Sequence, residues 1–277
     1  MTILHASDVH FGKPHLPELA QALVRFVRRE RPGAVVVSGD LTQRAKAGEY
    51  RAARAFLDSL APYPVVVTAG NHDVPLYRVG ERFFAPFRNY RAHIESAPDM
   101  VLDAEGGEGD RRGARFVALN SCAPRRAIVN GRLRSHQLDF AHRWFAAAPA
   151  GALRILVVHH NLIDPADGVY GRPLPGARQV LQLLPGWKVD MVLSGHVHRT
   201  HLAASSVAGP QGAEAGVPVL MAGTATSNRG RGRERGRNSF NLIRVGESGI
   251  EVTVYLYSRD ARDFLSAGVR RYPGAFR

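Results

Sequence analysis

Short apolar runs of strand length recur along this chain, and segments of helical period separate the early ones. The runs cover residues 2–7, 34–38, 65–68, 116–120, 153–159, 191–194, 217–222, 239–245 and 251–257. Consecutive apolar positions are typical of strands buried on both faces. Residues 16–29 and 49–60 instead repeat apolar side chains every three or four positions, which predicts helices. The first half of the chain is therefore predicted to be βαβαβ.

The later runs follow one another through turns rich in glycine and proline, such as residues 208–216. Beyond residue 189 we therefore expect more antiparallel pairing. Residues 163–176 and 228–238 are predicted to be irregular, and residues 98–113 to be a hairpin or a surface loop. None of these segments is long enough to separate two domains. We predict the α/β class in its mixed α+β form, with two mixed β-sheets flanked by helices. The single domain covers residues 1–277, and its end, about 259–277, is a candidate tail.

Cysteine occurs once, at Cys122, so this chain can form neither an internal disulfide framework nor a thiolate zinc cluster. Any metal site must therefore use histidine, aspartate and asparagine side chains. The first residues do not resemble a secretory signal, and no apolar stretch approaches the ~20 residues that span a bilayer. We expect no membrane span and a cytoplasmic protein.

The formal net charge of +13 favours a polyanion partner in principle, because basic surfaces attract nucleic acids. Only three of the 37 basic residues are lysines, namely Lys13, Lys46 and Lys188. GC-rich coding produces such an arginine bias without any polyanion partner. Nucleic acid is therefore the less favoured partner, and a small substrate is the favoured one.

Side chains that can bind metal ions follow the ends of five apolar runs. In chain order they are Asp8, His10, Asp40, Asn71, His159, His196 and His198. Because the carboxyl ends of strands in α/β sheets converge on one edge, we expect these side chains to meet there. Two donors spaced i and i+2 in an extended segment also point to the same side. Carboxylate, amide oxygen and imidazole suit Mn or Fe, with Zn as a further option, and seven ligands are too many for one ion. We therefore predict two metal ions.

Five motifs occur in a fixed order over residues 8 to 198: Asp-x-His, Gly-Asp, Gly-Asn-His-Asp, His-His and Gly-His-x-His. This set resembles the motifs of the calcineurin-like metallophosphoesterase superfamily. Residues 39–42, Gly-Asp-Leu-Thr, and residues 223–225, Gly-Thr-Ala, look more narrowly like the bacterial class III cyclic-nucleotide phosphodiesterases and glycerophosphodiesterases. That group often has prolines after the paired histidines, where this chain has Asn161 and Leu162. The departure concerns the substrate pocket and leaves the metal motifs intact.

The resemblance implies a four-layer αββα sandwich and an assignment of each ligand. It implies that one ion is held by Asp8, His10, Asp40 and His198, and the other by Asp40, Asn71, His159 and His196. Asp40 would then bridge the two ions. The resemblance further implies that His72 lies beside the scissile phosphate and donates to it or to the leaving group, oriented by Asp73. His160 is expected to fix a ligand by a hydrogen bond.

The function that follows is hydrolysis of small phosphodiesters such as 3′,5′-cyclic nucleotides, by attack of a hydroxide that bridges the two metal ions. A nuclease or a glycerophosphodiesterase on the same site is the alternative, and a non-catalytic scaffold is disfavoured because every expected ligand is present. His15 and Arg44 follow the first ligands closely and are candidates for substrate contact.

Residues 229–237 form a run with five arginines and one glutamate. Its simplest interpretation is a solvated loop. Anion binding near the site comes second, since guanidinium groups pair with phosphate oxygens, and a contact with single-stranded nucleic acid comes third. A homodimer is left open.

Overall fold

In a computed structural model of the chain, the structure describes residues 1–106, 112–126, 129–165, 171–205 and 216–273. The strands are β1 Thr2–Ala6, β2 Ala34–Val37, β3 Val65–Val67, β4 Met100–Ala104, β5 Ala114–Leu119, β6 Leu153–Val158, β7 Met191–Ser194, β8 His201–Ala204, β9 Pro218–Met221, β10 Ser239–Gly246, β11 Gly249–Ser258 and β12 Asp263–Pro273. The helices are α1 Pro17–Glu30, α2 Ala47–Asp58, α3 Val79–Phe84, α4 Arg88–His93, α5 Ser135–Ala146 and α6 Ala177–Leu183. No helix within these ranges is long and apolar enough to cross a membrane.

The strands form two mixed sheets of six strands each. The first sheet has the order β12-β11-β10-β1-β2-β3, and the second has the order β4-β5-β6-β7-β9-β8. In the first sheet β1, β2 and β3 are parallel, whereas β10, β11 and β12 are joined by antiparallel pairing. In the second sheet β5, β6, β7 and β9 are parallel, and the edge strands β4 and β8 are antiparallel. The predicted βαβαβ start and the mixed sheets are confirmed.

Neighbouring residues of the central strands point into different cores. Val36 of β2 packs between the two sheets with Phe116 and Ile155, whereas Val35 belongs to the core that includes Phe26 of α1. The outer face of the second sheet packs against α5 and α6. Because both faces of these strands are covered, their sequences are predominantly apolar. The predicted four-layer αββα sandwich is confirmed.

Of the expectations about the second half of the chain, one is corrected and one is confirmed. The candidate tail at about 259–277 contains β12, which pairs with β11 along its length and buries Phe264; residues 274–277 lie outside the described part. Most of the described strand pairs formed after residue 189 are antiparallel, as expected, and the exceptions are the parallel pairs of β7 with β6 and with β9. Residues 98–113 contain β4, which forms an antiparallel pair with β5 as the hairpin interpretation predicts. Most of the turn at 208–216 and residues 166–170 lie outside the described ranges.

Candidate metal centre

The loops that follow β1, β2, β3, β6 and β7 carry the seven candidate ligands to one edge between the sheets. Backbone hydrogen bonds keep the loops after β1 and β2 side by side, since the N–H of Asp8 donates to the carbonyl of Gly39 at 3.0 Å. The N–H of Gly195 donates to the carbonyl of His159 at 3.0 Å, which joins the loops after β6 and β7. A third bond links the sheets, because the His196 N–H donates to Asp8 Oδ2 at 3.0 Å.

Backbone strain is concentrated at these ligands. In the described part of the chain, nine non-glycine residues have positive φ angles, and five of them are candidate ligands: Asp8, His10, Asp40, His196 and His198. A side chain in this left-handed region costs about 1–3 kcal/mol, and such strain persists where the surrounding structure dictates the conformation. The fold therefore holds these five side chains in conformations that they would not adopt on their own.

Glycine precedes three of the ligands and permits close approach. Gly39 has a φ of +94°, and a Cβ there would lie 2.5 Å from His159 Nδ1. A Cβ on Gly195 would overlap the hydroxyl of Ser7, and one on Gly70 would overlap the carboxylate of Asp40. Each of these positions excludes a side chain because a ligand or its neighbour occupies the space.

Four buried side chains form the first ligand group: Asp8, His10, Asp40 and His198, whose ligand atoms all lie within 4.8 Å of one another. His198 Nε2 lies 3.1 Å from Asp8 Oδ1, and His10 Nε2 lies 3.6 Å from Asp40 Oδ2. Burial lowers the pKa of His10 well below its usual range. The imidazole is therefore neutral and keeps a lone pair that can bind a metal ion.

The second ligand group lies on the other side of Asp40. Asn71 Oδ1 is 2.9 Å from His196 Nδ1 and 3.2 Å from His159 Nε2. The other oxygen of the shared carboxylate, Asp40 Oδ1, lies 3.5 Å from His159 Nε2. Burial also lowers the pKa of His196 well below its usual range. Asp40 thus presents one oxygen to each group.

Two carboxylate oxygens at this centre are buried without a hydrogen bond, namely Asp8 Oδ1 and Asp40 Oδ2. Their only ion-pair neighbours in the described residues are histidines. Burial, together with the carboxylates of Asp8 and Asp73, raises the pKa of Asp40 well above its usual range. Uncompensated buried charge is costly, and oxygen and imidazole donors around it are a ligand set for a cation. The residues therefore fit bound metal ions.

Backbone carbonyls set the orientation of two ligand imidazoles. His159 Nδ1 lies 2.8 Å from the carbonyl oxygen of Ser38, and His198 Nδ1 lies 3.0 Å from that of Arg229. Because a carbonyl only accepts, each Nδ1 must carry the hydrogen, and each Nε2 then faces the centre with its lone pair. This arrangement leaves Nε2 of both rings suited to bind a metal ion.

His72 lies at the rim of the centre. Its backbone N–H donates to Asp40 Oδ1 at 2.8 Å, and its Nδ1 donates to the carbonyl of Gln43 at 3.0 Å. The ring centre is 4.8 Å from that of His10. Burial, together with the guanidinium of Arg229, lowers the pKa of His72 to about 3. The ring is therefore neutral near pH 7, with its hydrogen on Nδ1.

The expectation that Asp73 orients His72 is corrected. The Asp73 carboxylate accepts hydrogen bonds from the backbone N–H groups of Leu41, Thr42 and Gly70 and from the Thr42 hydroxyl. The 3₁₀ turn at Asn71–Asp73 directs this side chain back toward the backbone of Gly70. Asp73 thus joins the loops after β2 and β3, while Gln43 orients His72.

His160 contacts a ligand through its ring rather than by a hydrogen bond. Its Nδ1 lies 2.8 Å from the Ser121 hydroxyl, and its Nε2 is buried without a hydrogen bond. The ring centre is 4.6 Å from that of His196. The expected hydrogen bond from His160 to a ligand is therefore replaced by packing.

A cleft of about 720 Å³ adjoins His72. It is lined by Lys13, Pro14, Gln43, Arg44, Lys46, Glu49, Asn228 and Arg229 in addition to His72. Of the two candidates for substrate contact, Arg44 is in this cleft. His15 instead stacks on Phe11 at 3.9 Å and bonds the carbonyl of Val9 at 3.1 Å.

The arginine-rich run is anchored rather than freely solvated. Glu234 is buried within it and accepts hydrogen bonds from the Thr200 N–H at 2.8 Å and the Ser239 hydroxyl at 2.6 Å. Arg229 faces the cleft, whereas Arg235 is exposed. Sequence reasoning did not single out the first arginine of this run. The sequence signal concerns the run as a whole, which follows the Gly-Thr-Ala segment at 223–225 and is therefore expected near the site.

Comparison with known proteins identifies the family. Residues 1–200 match the family described as calcineurin-like phosphoesterase. A Mycobacterium tuberculosis protein named cAMP/cGMP dual specificity phosphodiesterase is 27% identical over 271 residues, which cover 88% of this chain and 75% of that protein. A Synechococcus protein named "Probable cyclic nucleotide phosphodiesterase" is 26% identical over 189 residues. This match covers 66% of this chain and 64% of the relative, just under two thirds of its length.

A solved structure shares the fold at low identity. The chain resembles a dimetal phosphatase from Danio rerio with a TM-score of 0.61 and 14% identity, over 98% of this chain and 99% of the other. At this identity the likeness concerns the fold alone. The region matched to the family, residues 1–200, includes all seven candidate ligands. The chain belongs to the calcineurin-like phosphoesterase family, a family of metal-dependent phosphoric ester hydrolases.

Proposed function

We propose that this chain is a dinuclear metal-dependent phosphodiesterase that hydrolyses small phosphodiesters such as 3′,5′-cyclic nucleotides. The observation that carries the proposal is the position of Asp40, whose two oxygens face two separate groups of buried donors. The names of the Mycobacterium and Synechococcus relatives support the choice of a cyclic nucleotide as substrate.

In this proposal Asp8, His10, Asp40 and His198 hold one ion, and the second ion is held by Asp40, Asn71, His159 and His196. Mn or Fe is the preferred identity, with Zn as a further option. When bound, two such ions stabilise charge on the phosphoryl oxygens and generate the attacking nucleophile from water at neutral pH. The protein contributes the fixed donor positions, which the strained loops and the carbonyl-anchored imidazoles provide.

His72 is proposed to contact the scissile phosphate. Its Nδ1 bond to the Gln43 carbonyl holds the ring, and Nε2 has no protein partner among the residues that the structure describes. The ring lines the cleft next to the first ligand group, 4.8 Å from the ring centre of His10. Because Nδ1 already carries the hydrogen of the neutral ring, Nε2 must take up a proton before it donates to an oxygen of the phosphate or of the leaving group, and the negative charge of a bound phosphodiester would favour that protonation.

Metal binding is tested by stoichiometry as well as by activity. Metal is removed with a chelator, Mn²⁺ is titrated back by calorimetry, and hydrolysis of cyclic AMP and of bis(p-nitrophenyl) phosphate is followed in parallel. We expect two Mn²⁺ ions per chain and activity that depends on them. Exchange of an exposed histidine outside the centre, His136→Ala, should preserve both results. Full activity in verified metal-free protein, or binding of fewer than two ions at saturation, would overturn the proposal.

A further inference from the structure

The cleft beside His72 contains more positive charge than its single acidic residue can balance. Its charged side chains are Lys13, Arg44, Lys46, Arg229 and Glu49. Glu49 Oε2 accepts hydrogen bonds from the backbone N–H groups of Arg44 at 2.7 Å and Lys46 at 3.2 Å, at the start of α2. No carboxylate in the described ranges forms an ion pair with any of the four cations.

Two of these cations are held in place by neutral groups. The Arg229 guanidinium donates to Gln43 Oε1 at 2.8 Å, and the same residue's carbonyl accepts from His198 Nδ1 at 3.0 Å. The Arg44 guanidinium carbon lies 5.1 Å from the centre of the Tyr77 ring. Both arginines are half-buried, which limits the number of conformations that they adopt. Guanidinium groups fixed in this way are suited to phosphate oxygens, which they can bind through two parallel hydrogen bonds.

The charge of the cleft exceeds what a cyclic mononucleotide requires. Such a substrate carries one negative charge, on the phosphate that the metal centre would bind. A cleft of about 720 Å³ is large enough for a further nucleotide-sized group, given that ligand pockets span about 300–1,000 Å³. Four cations without a carboxylate partner attract an anion and repel one another when the cleft is empty.

We propose that this cleft binds a second phosphate of the substrate, beyond the phosphodiester that is cleaved. The preferred substrates are then nucleoside phosphodiesters that carry an additional terminal phosphate. The inference rests on the proposed function, because it places the scissile phosphodiester at the metal centre. Lys13, Arg44, Lys46 and Arg229 are the specificity-determining residues of this subsite.

The test compares three substrates with the same scissile bond: dithymidine monophosphate, and the same compound with a phosphate on its 5′ end or on its 3′ end. We expect kcat/KM of the Mn²⁺-loaded enzyme to be roughly tenfold or more higher for at least one phosphorylated form, since charge-assisted hydrogen bonds add binding energy. The same preference should appear when the three compounds compete with bis(p-nitrophenyl) phosphate. In the double variant Arg44→Gln/Lys46→Gln, the ratio of kcat/KM for the phosphorylated form to kcat/KM for dithymidine monophosphate should fall close to one.

A matched control removes the same charge elsewhere. Arg143 lies in the last turn of α5, and Lys188 precedes β7 at the amino end of the parallel strands; both are exposed. The variant Arg143→Gln/Lys188→Gln should keep the preference for the phosphorylated substrate. Loss of the preference in both double variants would assign it to overall charge and overturn the subsite.

If the wild type has the same kcat/KM for the phosphorylated and unphosphorylated compounds and still hydrolyses bis(p-nitrophenyl) phosphate, the subsite is overturned and the proposed function is left intact. Hydrolysis of none of these compounds would overturn the proposed function and the subsite together. The two failures are therefore distinguishable.

Discussion

The two oxygens of the Asp40 carboxylate have different surroundings. Oδ2 is buried without a hydrogen bond, 3.6 Å from His10 Nε2. Oδ1 accepts the backbone N–H of His72 at 2.8 Å and lies 3.5 Å from His159 Nε2. Every other proposed ligand belongs to one group only. Loss of Asp40 should therefore weaken both metal sites, whereas loss of any other ligand should weaken one.

We accordingly expect Asp40→Ala to bind neither ion tightly, while His198→Ala keeps an ion in the second group. Elemental analysis after gel filtration measures the metal content of each variant, and far-UV circular dichroism verifies the fold. Phosphodiesterase activity should be lost in both. Two tightly bound metals in Asp40→Ala would contradict the bridging assignment.

His72 should act on the reaction without holding metal. For His72→Ala we expect unchanged metal content and a kcat lower by roughly 10²–10⁴ on cyclic AMP, the range typical of a positioned proton donor or acceptor. The loss should be smaller on bis(p-nitrophenyl) phosphate, whose leaving group needs no protonation. An equal loss on both substrates would show that His72 binds the phosphate and does not assist the leaving group.

At the scale of elements, the ends of the parallel strands were predictable because two physical constraints coincide there. An apolar run buried on both faces must stop at a sheet edge, and a polar residue directly after it emerges at that edge. Asp8, Asp40 and His196 all follow such runs, and the structure brings them together. Order along the chain was thus sufficient to infer proximity in space.

Other elements left weaker signals in the sequence. Helix α5 buries only Gln137, Ala141 and Phe145, a narrow stripe that includes a polar side chain. Strand β12 lies at the edge of its sheet, and it exposes apolar side chains such as Leu265 and Val269. Its pattern is neither continuously apolar nor regularly alternating, so the sequence does not predict a strand at these residues.

The basic cleft could not be predicted as a unit. Its cations come from three loops, with Lys13 after β1, Arg44 and Lys46 after β2, and Arg229 after β9. Only the tertiary structure brings these loops together, and no spacing rule links them. The partner of His72 was missed for a related reason, because a backbone carbonyl such as that of Gln43 has no signature in the sequence.

The loop after β3 gives a prediction about an element rather than a side chain. A Cβ on Gly70 would overlap the backbone nitrogen and carboxylate of Asp40. Gly70→Ala should therefore displace that carboxylate, lower metal affinity in calorimetry and reduce activity. Gly80→Ala is the matched control, because a Cβ there meets nothing within 4 Å and alanine favours the α3 helix. Metal binding by Gly70→Ala equal to that of the control would contradict the close approach.

At the scale of the whole molecule, each sheet supplies part of the proposed metal centre. Asp8, Asp40 and Asn71 follow strands of the first sheet, whereas three proposed ligands, His159, His196 and His198, follow strands of the second. The apolar core between the sheets holds the two parts together. Folding therefore brings buried carboxylates close to one another before any ion binds, and this arrangement opposes stability in the metal-free protein.

The last prediction concerns this conflict between stability and function. Asp40→Asn keeps the oxygen that accepts the His72 N–H and replaces the oxygen without a hydrogen bond by an amide nitrogen near His10. Without metal, the variant should unfold at a higher temperature than the wild type. Removal of an unsatisfied buried group contributes about 1–3 kcal/mol, and each kcal/mol shifts Tm by about 2–4 °C in large domains.

Mn²⁺ should reverse this order, because binding to the native state stabilises the wild type in proportion to its affinity and the variant lacks that affinity. Differential scanning calorimetry measures the unfolding temperatures of the wild type and of Asp40→Asn, with and without Mn²⁺. Asp139→Asn, at an exposed position of α5, is the matched control. Its unfolding temperature should equal that of the wild type both with and without Mn²⁺. A metal-free wild type as stable as metal-free Asp40→Asn would mean that the Asp40 carboxylate is already compensated by protein groups. The centre would then have no intrinsic requirement for a cation at this position.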